Sequence, residues 1–575
     1  MKKRKSVIRL LSFLMVLLMF TTLLTACGGA KEPEQETSQE PTEDPTEEQA
    51  QETETEVAET PETPTRPEFN SGTVEPTWKK NTSPITIDWY VNLSYATYRW
   101  GDIATDAITE KTGVTVNLTN PVGNEDEAMN TMLASGDLPD VITIYREAPQ
   151  VMTMEENGLV YALDELADKY DPYFWEVAYP SIVGWFTRED GHLYGWPSHS
   201  TPLELMADSS QVTGNTLFMV RSDMYEAIGS PDMRTIDGFR DALRAVKEKF
   251  PEVNGQPTLL FGGHEASDTS WWGFDAYLQD FLAVPWETED GKLYDRRTDP
   301  EYIRWLKAFR EMYHEGLIPN DLFIDKNKDI DDKIVQGRYF ALLHQAIGIG
   351  KQRQVMEATG GAYYKAIDGI FNSKLEQPQI LAANVINGWL MSFITKDCKD
   401  PARTIQFFSY LISEEGQKDC ALGVKGETYD TQEDGVDRLL PEMREIKEND
   451  KDLWLEKYGA GEFYYLMNPG IWQQWNYPLE EPEKSNIDWT KGKSKSQAVY
   501  TNLYPPATTD EGIAYNEIEH KWAQTLPKLM TAETEEEFDR LLQEFIEFRE
   551  AHNWDAVLEI MNANLAKNKA KLGIE

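Results

Sequence analysis

Seven His and 99 Asp and Glu in 575 residues supply many groups that could move protons or hold metals, yet their spacing builds no familiar reactive centre. No H-E-x-x-H occurs, the pattern that sets two imidazoles on one helix face around zinc. Lys491-Gly492-Lys493-Ser494 ends like a phosphate loop, but Ile487 stands where its first Gly belongs. Gly348-Ile349-Gly350 lacks the third Gly of a dinucleotide turn. The G-x-S-x-G of a nucleophile elbow is missing as well. Asp325-Lys326-Asn327-Lys328-Asp329 opens like a calcium loop. It then places Ile330 at the required Gly and Gln336 at the bidentate Glu, so a solvated turn before a helix is expected. Paired carboxylates are uninformative among so many acids and read as solvated acidic faces. The expectation is a protein that is not an enzyme and carries no cofactor or metal.

One residue has a chemistry its surroundings do specify. Met1–Arg9 is basic and Leu10–Leu24 is a 15-residue apolar run, short for a spanning helix and suited to a cleavable signal. Leu24-Thr25-Ala26-Cys27 follows and resembles the lipobox of bacterial lipoproteins, in which the Cys thiol takes a diacylglycerol and becomes the new N-terminus. Residues 1–26 then form a lipoprotein signal peptide, and the protein is held on the outer face of a Gram-positive-type cell membrane by lipid alone. Residues 27–70 are the lipidated Cys27 and a tether of Glu, Thr, Pro and Gln with no apolar face to bury, so disorder is expected there. The formal net charge of -44 argues against a nucleic-acid partner, which needs clustered Lys and Arg. Cys398 and Cys420 are the other two thiols and are expected to be buried and unpaired.

The elements that would position a site alternate along the rest of the chain. Ile85–Val91 is β-rich, 101–112 can form a helix stopped by Gly113, and Val114–Leu118 is a strand. Glu125–Ala134 reads as helix and Val141–Ile144 as a short buried strand. That order implies parallel βαβ units in an α/β sheet. Thr216–Val220 is a further strand. Ile236–Phe250, Tyr302–Tyr313 and Pro401–Ile412 are helices with apolar residues at helical spacing, and 508–570 is mostly helical.

Several stretches, in order, resemble the lipid-anchored solute-binding proteins of ABC importers in the family-1, maltose-binding-like group. They are Lys111-Thr112-Gly113-Val114 with Ala134-Ser135-Gly136-Asp137-Leu138-Pro139-Asp140-Val141, then Asp190-Gly191-His192-Leu193-Tyr194-Gly195-Trp196-Pro197, Met219–Met224, Tyr313-His314-Glu315-Gly316-Leu317-Ile318-Pro319, and Gly388-Trp389 with Asp400–Glu415. The resemblance implies a type II periplasmic-binding-protein-like α/β fold: two discontinuous lobes, a hinge, a ligand cleft and a helical C-terminal region. It places lobe 1 at 71–200 plus 338–388 and lobe 2 at 201–337 plus 389–575, with crossings near 197–216, 336–344 and 385–395.

The same resemblance implies an oligosaccharide caught by hinge closure and passed to ABC permease subunits by a monomeric receptor. An oligopeptide could occupy the same cleft, and a surface glycoside hydrolase or lyase is a further alternative. Ligand contacts are expected from Tyr90, Asn92 and Tyr95 after the first strand, from Tyr145 and Arg146, from Trp196 and Trp389 at crossings, and from Trp271 and Trp272. Aromatic faces suit sugar C–H surfaces, and amides and carboxylates suit hydroxyls. One departure from the family stands out. Where many long members carry a calcium loop, this chain has Pro251–Thr258 with a single carboxylate.

Overall fold

The computed structural model describes residues 66–94, 99–205, 214–266, 268, 273–383, 386–459 and 466–574. Its main strands, along the chain, are β1 (Ile85–Val91), β2 (Val114–Thr119), β3 (Val141–Tyr145), β4 (Gly195–Ser198), β5 (Thr216–Arg221), β6 (Leu259–Gly263), β7 (Tyr339–Gln345), β8 (Tyr364–Ala366) and β9 (Leu390–Ile394).

Two sheets divide these strands. The first has the order β2-β1-β3-β9-β4 and the second β8-β5-β7-β6. β1 pairs in parallel with β2 and β3, as a βαβ reading requires, because a helix can cross over between parallel neighbours. The helix that does so, α1 (Ile103–Thr112), is set by its ends. Asp102 accepts from the Thr105 amide, Thr105 returns the bond, and Gly113 closes the helix at φ 74. A Cβ at Gly113 would lie 2.1 Å from the Thr82 carbonyl oxygen, so the position needs Gly twice over.

β9 runs antiparallel to β3 and β4, so the first sheet is mixed. The second is mostly antiparallel, with only β6 and β7 in parallel. β3, β5 and β9 are near-continuous apolar runs buried on both faces, which hides the direction of pairing from a local reading.

Each sheet has its own core. Trp89, Phe174, Phe393 and Phe408 belong to the first, and Trp89 satisfies its buried indole N–H on the Thr143 hydroxyl at 2.8 Å. In the second, Phe239, Phe261, Trp305 and Phe309 meet at ring-centroid distances of 5.4–6.0 Å. The helix Ile236–Lys249 shows why it belongs there: Phe239, Ala242, Leu243 and Val246, at i, i+3, i+4 and i+7, are its buried residues.

The allocation of segments to lobes needs correction. Residues 338–388 were expected in the first lobe, but β7 and β8 within them pair with β5 in the second sheet. Residues from 389 were expected in the second lobe, but β9 pairs with β3 and β4, and Ile405, Phe408, Trp454, Trp472 and Trp475 pack in the first core. The chain crosses between Ser198 and Thr216, again between Ala383 and Leu390, and once more after Trp475. Past that third crossing, Asn486 bonds the amide of Ala366 and the carbonyl of Tyr364 in β8. The expected crossing at 336–344 is instead β7, an internal strand of the second sheet.

Helix α2 (Phe274–Phe281) follows β6, and α3 (Pro300–His314) packs in the second core. Three helices end the chain: α4 (Asp510–Thr531), α5 (Glu535–Ala551) and α6 (Trp554–Leu572). Trp522, Leu526, Leu529 and Phe545 bury α4 and α5 in the second core. The end of α6 returns to the first lobe, where the Lys571 ammonium donates to the carbonyls of Trp185 and Thr187. None of the described helices is long and apolar enough to cross a membrane. Cys398 and Cys420 are buried free thiols, and burial pushes both thiol pKa values up.

Candidate ligand cleft

The C-terminal ends of β1 and β3, the start of β9 and the end of β4 come together at one edge of the first sheet, the edge from which the chain crosses to the second lobe. Ligands in open α/β sheets bind beyond such strand ends. β3 delivers Tyr145 and Arg146 there, and β9 begins just after Trp389. The rings of Tyr145 and Trp389 meet at 5.5 Å and 51°, both half-buried. Gly388, at φ 58, lets the crossing segment turn into β9; a Cβ there would lie 2.5 Å from the Ser198 carbonyl oxygen.

Arg146 holds this wall together. Its backbone N–H donates to the Trp389 carbonyl at 3.1 Å. Its guanidinium donates to the Gly388 carbonyl and the Asn502 amide oxygen, each at 3.0 Å, and to Glu147 at 2.6 Å. The side chain is only 6% exposed and its forked donors are spent on protein. Arg146 therefore positions the wall rather than reaching outward.

Tyr90 and Asn92 are buried at the end of β1 and bond to each other at 3.0 Å. Burial, with Glu125 nearby, pushes the Tyr90 hydroxyl up to about 12. Trp196 lies apart from the cleft: it is 5% exposed and its ring meets Phe174 edge-on at 5.5 Å inside the first core. Tyr95, Trp271, Trp272 and Cys27 lie outside the described residues.

Beside this wall opens a cavity of about 330 Å³. Glu147, Asn502 and Tyr504 border it from the first lobe and the returning chain; Asp275 and Gln279 come from α2, and Tyr515 and Glu519 from α4. Two aromatic stacks line it: Trp286 on Tyr500 at 4.6 Å and 14°, and Tyr504 on Tyr515 at 5.5 Å and 21°. Flat faces set around a cavity between two lobes can accept the C–H surface of a ring that enters it.

Residues 104–428, more than half of the chain, match the family of bacterial extracellular solute-binding proteins. This chain belongs to that family. Among its relatives, lipoprotein LipO of Bacillus subtilis (strain 168) is 22% identical over 382 residues, 62% of this chain and 68% of LipO. The fructooligosaccharide ABC transporter substrate-binding protein FusA of Streptococcus pneumoniae is 26% identical over 229 residues, 38% of this chain and 41% of FusA. In structure, the alginate-binding protein AlgQ2 without calcium ion superposes with a TM-score of 0.64 at 18% identity, over 86% of this chain and all of AlgQ2. FusA in complex with kestose gives 0.63 at 16% identity, over 84% of this chain and all of FusA. The type II binding-protein fold implied by the sequence is the fold of this chain.

The electrostatics of this solute-binding protein's cleft are dominated by closed ion pairs. Arg297 donates twice to Glu519, at 2.8 and 2.7 Å, and sits 3.5 Å from Asp275. Burial alone would lower its pKa, but those carboxylates hold it up. Arg296 lies 4.1 Å over the Trp286 ring and pairs with the wholly buried Asp280 at 2.6 Å. Arg549 pairs with Asp295.

On the second sheet, His264 and His344 follow or end β6 and β7 at the side where the crossings enter, with rings 5.4 Å apart. Burial, and then the neighbouring His264, lower His344 to about 4.

Two sequence readings near cations take definite form. The stretch that departs from the family's calcium loop is a tight hairpin, Glu252–Val253 against Gln256–Pro257, turned by Asn254 and Gly255 at positive φ. Asp325 lies in a turn before a helix as expected, but it is buried rather than solvated. The Lys333 ammonium bridges it to Asp321.

Trp286, Tyr500, Tyr504, Tyr515 and Glu519 escaped the sequence reading. They come from segments over 200 residues apart, so no local pattern joins them. The available signal was Tyr500-Thr501-Asn502-Leu503-Tyr504-Pro505-Pro506, an aromatic and polar stretch without helical or strand periodicity just before a helix.

Proposed function

We propose that this solute-binding protein captures an oligosaccharide in the cleft between its lobes and hands it to ABC permease subunits as a non-catalytic receptor. The observation that carries the reading is the cavity of about 330 Å³ walled by two aromatic stacks beside Tyr145 and Trp389. The names of FusA, a fructooligosaccharide binder solved with kestose, and of the alginate binder AlgQ2 support a saccharide ligand. Contacts made to both lobes exist only when they close, so ligand binding favours a closed state. Lipidation at Cys27 would keep the receptor at the outer membrane face, with residues 28–65 as tether. The tether was expected to run to residue 70, but Arg66 forks to Asp168 and the Phe69 ring packs 4.7 Å from Tyr179, so 66–70 belong to the folded part. Tyr145, Trp389, Trp286, Tyr500 and Tyr504 are the proposed contacts, joined by Tyr95, Trp271 and Trp272 on their sequence position. Tyr90 and Asn92 support the loop that follows them, Arg146 orients the wall, and Trp196 has no contact role.

Titration calorimetry against a panel of tetrasaccharides, with small-angle scattering before and after ligand, tests this. Heat of binding accompanied by a smaller radius of gyration is the expected result. Binding of peptides or amino acids alone would replace the ligand class, and product formation on long incubation would replace the receptor role.

A further inference from the structure

The cavity contains three arginines and yet offers no cation to a ligand. Arg296 is taken by Asp280, Arg297 by Glu519 and Asp275, and Arg549 by Asp295. On the adjoining wall Arg146 is taken by Glu147. The pairs are well ordered by geometry: Arg297 and Glu519 form a two-point fork, and their side chains are 17% and 19% exposed. Asp275 is further committed to the indole N–H of Trp522 at 2.9 Å, the Gln279 amide at 3.1 Å and the Tyr302 hydroxyl. The acids that line the cavity, Glu147, Asp275, Asp295 and Glu519, outnumber its arginines by one.

Nor does any internal stretch outside the described residues supply a cation. Segments 95–98, 206–213, 267, 269–272, 384–385 and 460–465 contain no Lys or Arg. A carboxylate or sulfate entering this space would meet only arginines already paired with carboxylates, and the Nε atoms of Arg296 and Arg549, which bond to nothing, are themselves buried. It would have to open an existing pair and leave that pair's own carboxylate buried and unmatched, which is strongly unfavourable. The net charge of -44 opposes the approach of a polyanion before it reaches the cleft. A neutral sugar meets neither obstacle, because its hydroxyls exchange bonds with amides, tyrosyl oxygens and already paired carboxylates.

We infer that the cleft is reserved for uncharged oligosaccharides, with Glu519 and Glu147 acting as specificity-determining residues that occupy the arginines an acidic sugar would need. The inference rests on the saccharide reading above and narrows its ligand class. It also separates this protein from a neighbour of the same fold that is named for binding alginate.

The test uses the protein from residue 66 onward together with the full tethered chain, titrated at low ionic strength. The probes are maltotetraose, cellotetraose, nystose and lacto-N-tetraose on one side, and tetragalacturonate and tetramannuronate on the other. At least one uncharged probe should bind 100-fold or more tighter than either uronate. A uronate that binds as tightly as the best uncharged probe overturns the inference while leaving a saccharide receptor. Binding of a tripeptide library with no saccharide heat overturns the saccharide reading, and the inference with it.

Glu519→Gln keeps the shape and removes the charged fork on Arg297, leaving it only Asp275 at 3.5 Å, so the ratio of uronate to uncharged-probe affinity should rise at least tenfold. An unchanged ratio in a variant that melts cooperatively excludes Glu519 as the gate. Should Glu519→Gln fail to fold, Glu147→Gln applies the same reasoning to the Arg146 pair, and an unchanged ratio there counts equally against the inference.

Discussion

Trp196 lies on β4 and Trp389 immediately before the neighbouring β9, and both were expected at the cleft, yet they have opposite surroundings. Trp196, on β4, lies opposite Ser392 of β9 and points into the first core, where Phe174 meets its ring edge-on. Trp389 comes just before β9, donates its amide to the Ser198 carbonyl, and holds its ring beside Tyr145 at the sheet's open edge. Side chains alternate faces along a strand, so the residue's place on the strand decides whether an indole is packing or surface. Being Trp, or being near a crossing, does not decide it.

Mutation separates the two indoles. Trp196→Ala should cost about 3–5 kcal/mol of folding stability, because it empties a close-packed site. Urea unfolding measures this, and affinity of the surviving folded fraction should stay at the parent value. Loss of affinity with full stability would put Trp196 back in the cleft.

The opposite lobe provides a second contrast through pH. His344 faces His264 and the Gln345 carbonyl, with Asp331 and Lys351 nearby, and keeps its proton off until about pH 4. The unfolded chain takes that proton near the ordinary value of about 6.5. Stability should therefore fall as pH drops from about 6.5 to about 4, by roughly 3 kcal/mol at most, and level off below. Thermal melts at half-unit pH steps on the parent and on His344→Gln should show a flatter curve for the variant. Superimposable curves would remove His344 as the source.

Trp389→Ala should behave inversely to Trp196→Ala. With its ring half-buried at the edge, it should lose about 2 kcal/mol of ligand binding, near the level of a buried aromatic contact. The melting temperature should move by no more than a few degrees. Equal losses of stability in the two variants would erase the distinction between them.

The smallest effect is expected at Arg146→Lys. A lysine keeps the charge beside Glu147 but cannot fork to the Gly388 carbonyl and Asn502 together, so stability should drop by about 1 kcal/mol. Scattering on the ligand-free variant should show a broader distribution of lobe separations. An unaltered distribution would mean the wall is held without the guanidinium.

Local physical chemistry makes much of this protein legible. Asp102 with Thr105 and Gly113 bounds one helix, the i, i+3, i+4, i+7 pattern of Phe239, Ala242, Leu243 and Val246 orients another, and Pro401–Ile412 forms over the expected residues. Val141–Ile144 and Thr216–Val220 are strands for the same reason: short apolar runs with extended preference. Family membership too follows from such stretches, because each encodes an element whose ends and buried face are written within a dozen residues.

What tertiary structure alone decided is which of these elements meet. Tyr339–Gln345 and Leu390–Ile394 are similar apolar strands by composition, yet one completes the second sheet and the other the first. Pairing partners lie 80 or more residues away, and nothing local in a strand buried on both faces names them. The cleft was least legible for that reason. Trp286, Tyr500, Tyr515 and Glu519 become one surface only when the returning chain and the C-terminal helices pack beside α2, and Trp196 leaves that surface only when β4 takes its register against β9.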